Sequence, residues 1–227
     1  MLSAFSRPFE IKMKHVILLF AILPFEIIFV GIWKTVLIAS LMVWFYVAVL
    51  LHELGHLMAA RVRGFRCDEV HIGALFGWTS FDVDKTFSNI DEMIISITGP
   101  MINILIGVIS FLPIFLFHPS TTVCDILWAS AIINLSLGLV NLVPVFPSDG
   151  AYFLRGLIDQ IIHSSVIANI TSVILSAGIV IAGIVYMFAV SFNLIVLMCV
   201  IVGGVGTLYF FYESAKTQFN LSSILGG

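Results

Sequence analysis

Two histidines and a glutamate in one short segment carry the strongest chemical signal of the chain. His52, Glu53 and His56 form a His-Glu-x-x-His pattern at the end of a run of 17 uncharged, mostly apolar residues, 35–51. On a helix, residues four apart project from one face, so His52 and His56 can bind one metal ion together. Glu53 would then be close enough to take a proton from a water molecule at the ion without binding the metal itself. Because unpartnered ionisable groups are costly at membrane depth, the pattern favours zinc-dependent hydrolysis over a pair of membrane histidines that only bond to backbone carbonyls.

The elements that must position these residues are membrane helices. The chain has 227 residues, of which 60% are hydrophobic and 10% charged, and its mean hydropathy is +1.15. These values are typical of proteins that cross a membrane several times. Apolar stretches long enough to span a bilayer lie at 16–33, 35–60, 93–117, 126–144, 166–189 and 194–212. Six helices put both termini on one side.

The distribution of cations predicts which side that is. On this topology all lysines and arginines but one fall on the side of the N-terminus, and Lys34 faces the other way. Since loops on the cytoplasmic side carry the excess of positive charge, both termini are expected in the cytoplasm. The other cations are Arg7, Lys12, Lys14, Arg61, Arg63, Arg66, Lys85, Arg155 and Lys216.

Two segments outside the apolar stretches alternate between apolar and polar residues. The first is 9–14, and the second is 69–84, which is divided by Gly73 and Gly77. A period of two indicates strands, so we expect a hairpin that pairs with the N-terminal strand in a small cytoplasmic sheet. An irregular loop at the membrane surface is the alternative.

A break follows the fourth apolar stretch. Pro144 and Pro147 remove two backbone donors, and broken backbone at membrane depth usually lines a cavity. Asp149 lies just past the break, and we expect an unwound turn there to direct its carboxylate inward. The break and the histidines fall at similar depths, so His52, His56 and Asp149 would supply three protein ligands and leave the fourth tetrahedral position to water, as in catalytic zinc sites. A helix end with a surface turn is the alternative.

The third stretch carries a stripe of small or polar residues. Gly99, Asn103 and Gly107 are spaced by four, which lets a neighbouring helix approach closely. Packing alone could explain this stripe.

With these features together, the chain resembles the site-2 protease family of intramembrane zinc metalloproteases, in its compact archaeal or bacterial form. The features that carry the resemblance are the histidine motif at 52–56, the stripe Gly99, Asn103 and Gly107, and Asn141-x-x-Pro144 followed by Asp149-Gly150. In that family the two histidines and the motif aspartate bind zinc, and the glutamate activates water. The resemblance therefore implies that His52, His56 and Asp149 are the metal ligands, that Glu53 is catalytic, and that Asn141 helps hold the substrate backbone.

The expected protein is thus mainly α-helical, with six transmembrane helices and a small cytoplasmic sheet. We expect one domain, 1–227, with a catalytic core at about 35–150 and one Zn²⁺ per chain. Its substrates would be transmembrane segments of other proteins, cleaved in or near the bilayer as in regulated intramembrane proteolysis. The active site would face the cytoplasm. The net charge of −3 argues against nucleic acid as a partner.

Two further expectations concern substrate and gating, and two alternative functions stay open. An unwound substrate could pair with the strand after Gly77 and so extend the sheet by one strand. Glu26, in the first apolar stretch, would be protonated or face a cavity. A membrane metalloprotease of the prenyl-protein type would instead need a late glutamate as its third ligand, for which Glu213 is the candidate. A divalent-metal or proton transporter would need polar groups through the whole membrane thickness, whereas here they lie toward one side.

Overall fold

The computed structural model describes residues 9–13, 28, 31–73, 77–81, 87–117 and 120–225. Its elements follow the chain in the order β1 (Glu10–Met13), α1 (Ile32–Val62), β2 (Cys67–Ile72), β3 (Gly77–Phe81), α2 (Asn89–Phe117), α3 (Thr121–Asn141), α4 (Asp149–Ile162), α5 (Ser165–Ala189) and α6 (Leu194–Leu225). The mainly helical fold class with a small sheet is confirmed.

Among the described residues, five helices are long and apolar enough to cross a membrane, namely α1, α2, α3, α5 and α6. The protein is therefore a membrane protein, as predicted. The predicted first span at 16–33 lies almost entirely outside the described residues, as does Glu26, so the sixth helix stays a prediction. Helix α3 ends at Asn141, slightly before the predicted end at 144, because the residue before a proline is disfavoured in a helix and Pro144 starts the break.

The chain divides into two compact units. The described parts of Met1–Thr86 and Thr98–Val140 form the first, and those of Phe87–Ile97 and Asn141–Gly227 form the second. Helix α2 begins in the second unit and continues in the first.

A three-stranded sheet belongs to the first unit. Strand β2 lies in the middle, parallel to β1 and antiparallel to β3. Cys67, Val70 and Ile72 of β2 are almost fully buried, whereas β1 carries Lys12, which forms an ion pair with Glu69. The predicted hairpin and its pairing with the N-terminal strand are confirmed. The parallel direction of β1 was not foreseen, because alternation gives the faces of a strand but not its partner.

The helices of the first unit pack closely at glycines. A Cβ added to Gly107 of α2 would lie 2.6 Å from Leu135 Cγ of α3, and one added to Gly138 of α3 would lie 2.8 Å from Ile104 Cγ1 of α2. The close approach predicted from the glycine stripe is therefore present. A core of Tyr46, Val49 and Ile72 joins α1 to the sheet.

In the second unit, the segment between α3 and α4 is fixed by α5 and α6. Phe146 is fully buried, and its ring stacks on Phe210 of α6 at 3.9 Å between centroids. Its backbone N–H donates to Ser176 Oγ of α5 at 3.1 Å. A Cβ on Gly206 of α6 would lie 2.5 Å from Phe146 O. The break is thus an ordered turn packed against two helices.

Candidate metal centre

Helix α1 places His52 and His56 side by side in the interior of the first unit. Their side chains are on successive turns, with ring centroids 4.8 Å apart, and only 5% and 7% of the two residues is exposed. One nitrogen of each ring lies within 4.8 Å of the other. Zinc–nitrogen bonds are about 2.0–2.1 Å long, so the two rings are close enough for one ion to bind a nitrogen of each. Two buried imidazoles on one helix face are a donor set that fits zinc.

Glycines let helix α2 approach the two histidines. A Cβ on Gly99 would lie 2.3 Å from His56 Nε2, so any larger residue would push this ring away. A Cβ on Gly55 would lie 3.1 Å from Gly99 Cα and 2.9 Å from Ile102 Cδ1. The glycine inside the histidine motif and the first glycine of the stripe therefore face each other at the crossing of α1 and α2.

Asn103, the polar member of the stripe, contacts a histidine directly. Its Oδ1 lies 2.6 Å from His52 Nδ1, and Asn103 itself is fully buried. The sequence indicated close packing at this position but not this hydrogen bond. An uncharged amide in a membrane helix needs a hydrogen-bond partner, and this requirement was the available signal.

Glu53 is held by the sheet. The residue is 5% exposed. Thr79 Oγ1 of β3 donates its proton to Glu53 Oε2 at 2.8 Å and also lies 3.3 Å from the backbone oxygen of Glu53. A Cβ on Gly77 would lie 2.6 Å from Glu53 Cγ. Strand β3 therefore covers the carboxylate and orients it, a role that neither the spacing nor the composition of 77–81 predicts.

Asp149 and Asn141 lie in the second unit, on either side of the turn. Asn141 is the last residue of α3 and Asp149 is the first residue of α4. The prediction that Asp149 lies in an unwound turn is wrong. Ser148 is extended, and helix α4 begins immediately after it, at Asp149. Gly150 fits tightly here, since a Cβ would lie 2.2 Å from Leu142 O.

The structure thus brings His52, Glu53 and His56 together in the first unit, and Asn141 and Asp149 are close in sequence within the second. The ligand set of His52, His56 and Asp149 stays a prediction, as does the role of Asn141. Glu213, the alternative third ligand, lies on α6.

Two sequence comparisons with known proteins both match metallopeptidases. The model of the peptidase family M50 matches residues 118–185, which include the turn and Asp149. A zinc metalloprotease of Methanocaldococcus jannaschii is 29% identical over 154 residues, which are 67% of this chain and 43% of that protein. The chain therefore spans less than half the length of this curated relative.

A solved structure shares the fold. The site-2 protease of Methanocaldococcus jannaschii superposes with a TM-score of 0.63 at 22% identity, over 88% of this chain and 89% of that one. The comparisons support neither the prenyl-protein type nor a transporter. The family match, the curated relative and the common fold confirm the resemblance seen in the sequence: the chain is similar to the site-2 proteases of peptidase family M50.

Proposed function

We propose that this protein is a zinc-dependent endopeptidase that hydrolyses peptide bonds within or near the transmembrane segments of membrane proteins. The observation that carries this proposal is the burial of His52, Glu53 and His56 together on α1, a helix with the length and composition of a membrane span. Three ionisable side chains in such a helix call for a metal or a proton-transfer role. A zinc metalloprotease among the relatives of the chain supports zinc as the ion.

The proposed ligands are His52, His56 and Asp149, with one zinc ion per chain. The two histidines meet the requirements for shared coordination, because they are adjacent on one helix face. Asp149 follows the proline turn directly, and the turn is fixed by hydrogen bonding and ring stacking within the second unit. Three protein ligands leave one coordination position for water, as catalytic zinc sites require.

Glu53 performs the proton transfers in this mechanism. When bound, zinc supplies Lewis-acid polarisation of the peptide carbonyl and makes water nucleophilic near neutral pH. Glu53 takes the proton of the attacking water and passes it to the departing amine. Its carboxylate is already oriented by Thr79, so little reorganisation is needed during the reaction. Asn141 donates a hydrogen bond to the backbone of the bound substrate.

The substrate must reach this site as an unwound segment. A spanning helix keeps its carbonyls in its own hydrogen bonds, so the target has to open before it can be cleaved. Within the described sheet β3 is an edge strand, and we propose that the opened substrate adds to it as a further strand. This arrangement would bring the scissile bond close to Glu53, which contacts β3 from the protein interior.

We further propose that both termini and the active site face the cytoplasm. The excess of lysine and arginine on the side of the N-terminus supports this orientation. The test is to fuse a tag to each terminus and add protease to sealed membrane vesicles. Both tags should be digested in inverted vesicles, whose cytoplasmic face is outside, and digestion of both tags in right-side-out vesicles would contradict the orientation.

The test of the proposed function is a comparison of wild type with Glu53→Gln. Both proteins are purified in detergent, analysed for metal and incubated with a panel of transmembrane peptides. The variant is expected to keep about one zinc per chain and to lose at least 100-fold in cleavage rate, because a general base contributes roughly 10²–10⁴-fold. Cleavage by the variant at the wild-type rate would contradict the role of Glu53.

The third ligand has its own test. Asp149→Asn is expected to lower the zinc content of the purified protein, whereas Glu213→Gln leaves it unchanged. The opposite result would favour the prenyl-protein type of site.

A further inference from the structure

We infer that Asn103 is a positioning residue for the metal centre: it sets the tautomer of His52 so that Nε2 is the nitrogen available to zinc, and Asn134 sets the orientation of Asn103. This inference rests on the proposed function. It concerns contacts of the first unit alone, and it gives the glycine stripe of α2 a chemical role besides packing.

The side chain of Asn103 is enclosed by the protein, and both its oxygen and its nitrogen have hydrogen-bond partners. It is 0% exposed, and its Oδ1 lies 2.6 Å from His52 Nδ1. Its Nδ2 donates to Ala48 O of α1 at 3.1 Å and to Asn134 Oδ1 of α3 at 2.9 Å. Asn103 therefore connects three helices through one amide group.

Two backbone carbonyls fix the directions of the hydrogen bonds that link His52, Asn103 and Asn134. A carbonyl oxygen only accepts, so the atom of Asn134 that contacts Ser130 O at 2.9 Å must be its NH₂ group. The oxygen of Asn134 is thereby left to accept from Asn103. Ala48 O likewise requires the NH₂ group of Asn103.

The oxygen of Asn103 must consequently face His52. An amide oxygen cannot donate, so Nδ1 of His52 has to carry the ring proton and donate it. In a neutral imidazole the other nitrogen, Nε2, then has the lone pair that a metal needs. A hydrogen bond to the second ring nitrogen both fixes the ring and raises its basicity as a ligand, and losing such a partner typically lowers metal affinity by about 10–100-fold.

The experiment compares Asn103→Leu with a matched control, Ser110→Ala. Ser110 lies two turns further along α2 and contacts Ser130 Oγ of α3 at 2.9 Å. Both substitutions thus remove an α2–α3 hydrogen bond, but only the first removes the partner of His52. Zinc affinity is measured by competition with a chelator, and the His52 tautomer by ¹⁵N NMR of zinc-free protein labelled at histidine.

The expected results separate a positioning role from a packing role. Wild type and Ser110→Ala should show the Nδ1–H tautomer of His52 and equal zinc affinities. Asn103→Leu should bind zinc about 10–100-fold more weakly and should lose the Nδ1–H tautomer. An Asn103→Leu protein with wild-type affinity and tautomer would overturn the inference.

A second variant keeps the inference testable if Asn103→Leu does not fold. Asn134→Leu leaves the contact between Asn103 and His52 in place but removes the group that orients the amide, so a smaller loss of zinc affinity in the same direction is expected. Unchanged affinity and tautomer in this variant would count against the inference. Wild-type protein with the Nδ1–H tautomer but no zinc binding would contradict the proposed function instead.

Discussion

Replacing Gly77 with alanine tests how strictly the position of Glu53 matters. An ideal Cβ at Gly77 would lie 2.6 Å from Glu53 Cγ, 2.7 Å from Oε1 and 2.9 Å from Cδ. Carbon atoms in contact are normally about 3.5–4.0 Å apart. Glu53 therefore has to move by about 1 Å, and as a flexible side chain it can do so while the strand stays in place.

The size of the effect follows from this displacement. Misplacement of a reacting group by about 1 Å can cost roughly 100-fold in rate, which corresponds to about 2.7 kcal/mol in the activation free energy. We expect Gly77→Ala to lower kcat by about this factor. The zinc content should stay at the wild-type level, because the three atoms nearest to the added methyl group all belong to Glu53.

The assay is cleavage of a transmembrane peptide at saturating concentration, with metal analysis of the same preparation. Gly178→Ala on α5 is the matched control, since a Cβ there meets nothing within 4 Å. The control should cleave at the wild-type rate. A Gly77→Ala protein with wild-type kcat would refute the reasoning that β3 fixes the base, and loss of zinc in this variant would show that the strand also supports the ligands.

Three further predictions concern β3, α2 and β2. Thr79→Pro should lower cleavage at least tenfold with zinc retained, because the hydrogen bond to Glu53 is lost and strand addition is impaired, whereas Thr79→Ser should keep most activity; equal rates for both would contradict this. Gly99→Ala should weaken zinc binding at least tenfold in a chelator competition, since a Cβ would lie 2.3 Å from His56 Nε2, and unchanged affinity would show that the ring adjusts freely. Burial raises the pKa of Cys67 to about 11 from its ordinary value of 9.0, so the folded state favours the protonated thiol. The melting temperature should therefore fall between pH 9 and 11, and a Cys67→Ala variant should lose that part of the decrease.

Local patterns predicted most of the fold. Alternation at 9–14 and 69–84 predicted the strands, and apolar runs predicted the five described spans. The short helix α4 was not predicted, because its 14 residues mix apolar and charged side chains directly after two prolines that indicate irregular backbone. The adjacency of His52 and His56 could be predicted, because residues four apart share one face of a helix.

The residues that support the site were harder to find. The contact of Asn103 with His52 spans 51 positions in the sequence, and that of Thr79 with Glu53 spans 26. The pattern at Asn103 gave the face of a helix but not what lies against that face. The role of Thr79 depends on the register of β3 against α1, which hydrophobic periodicity does not specify.

The anchoring of Glu53 by β3 has a consequence for inhibitor design. The proposed base, Glu53, contacts a strand, whereas the proposed ligand His52 contacts a neighbouring helix, so on this proposal proton transfer can be disabled without disturbing the ion. A peptide-like compound that adds to β3 and draws Thr79 outward would stop turnover while leaving the zinc in place. Such a compound needs no chelating group, and it would therefore spare zinc hydrolases whose base is held in another way.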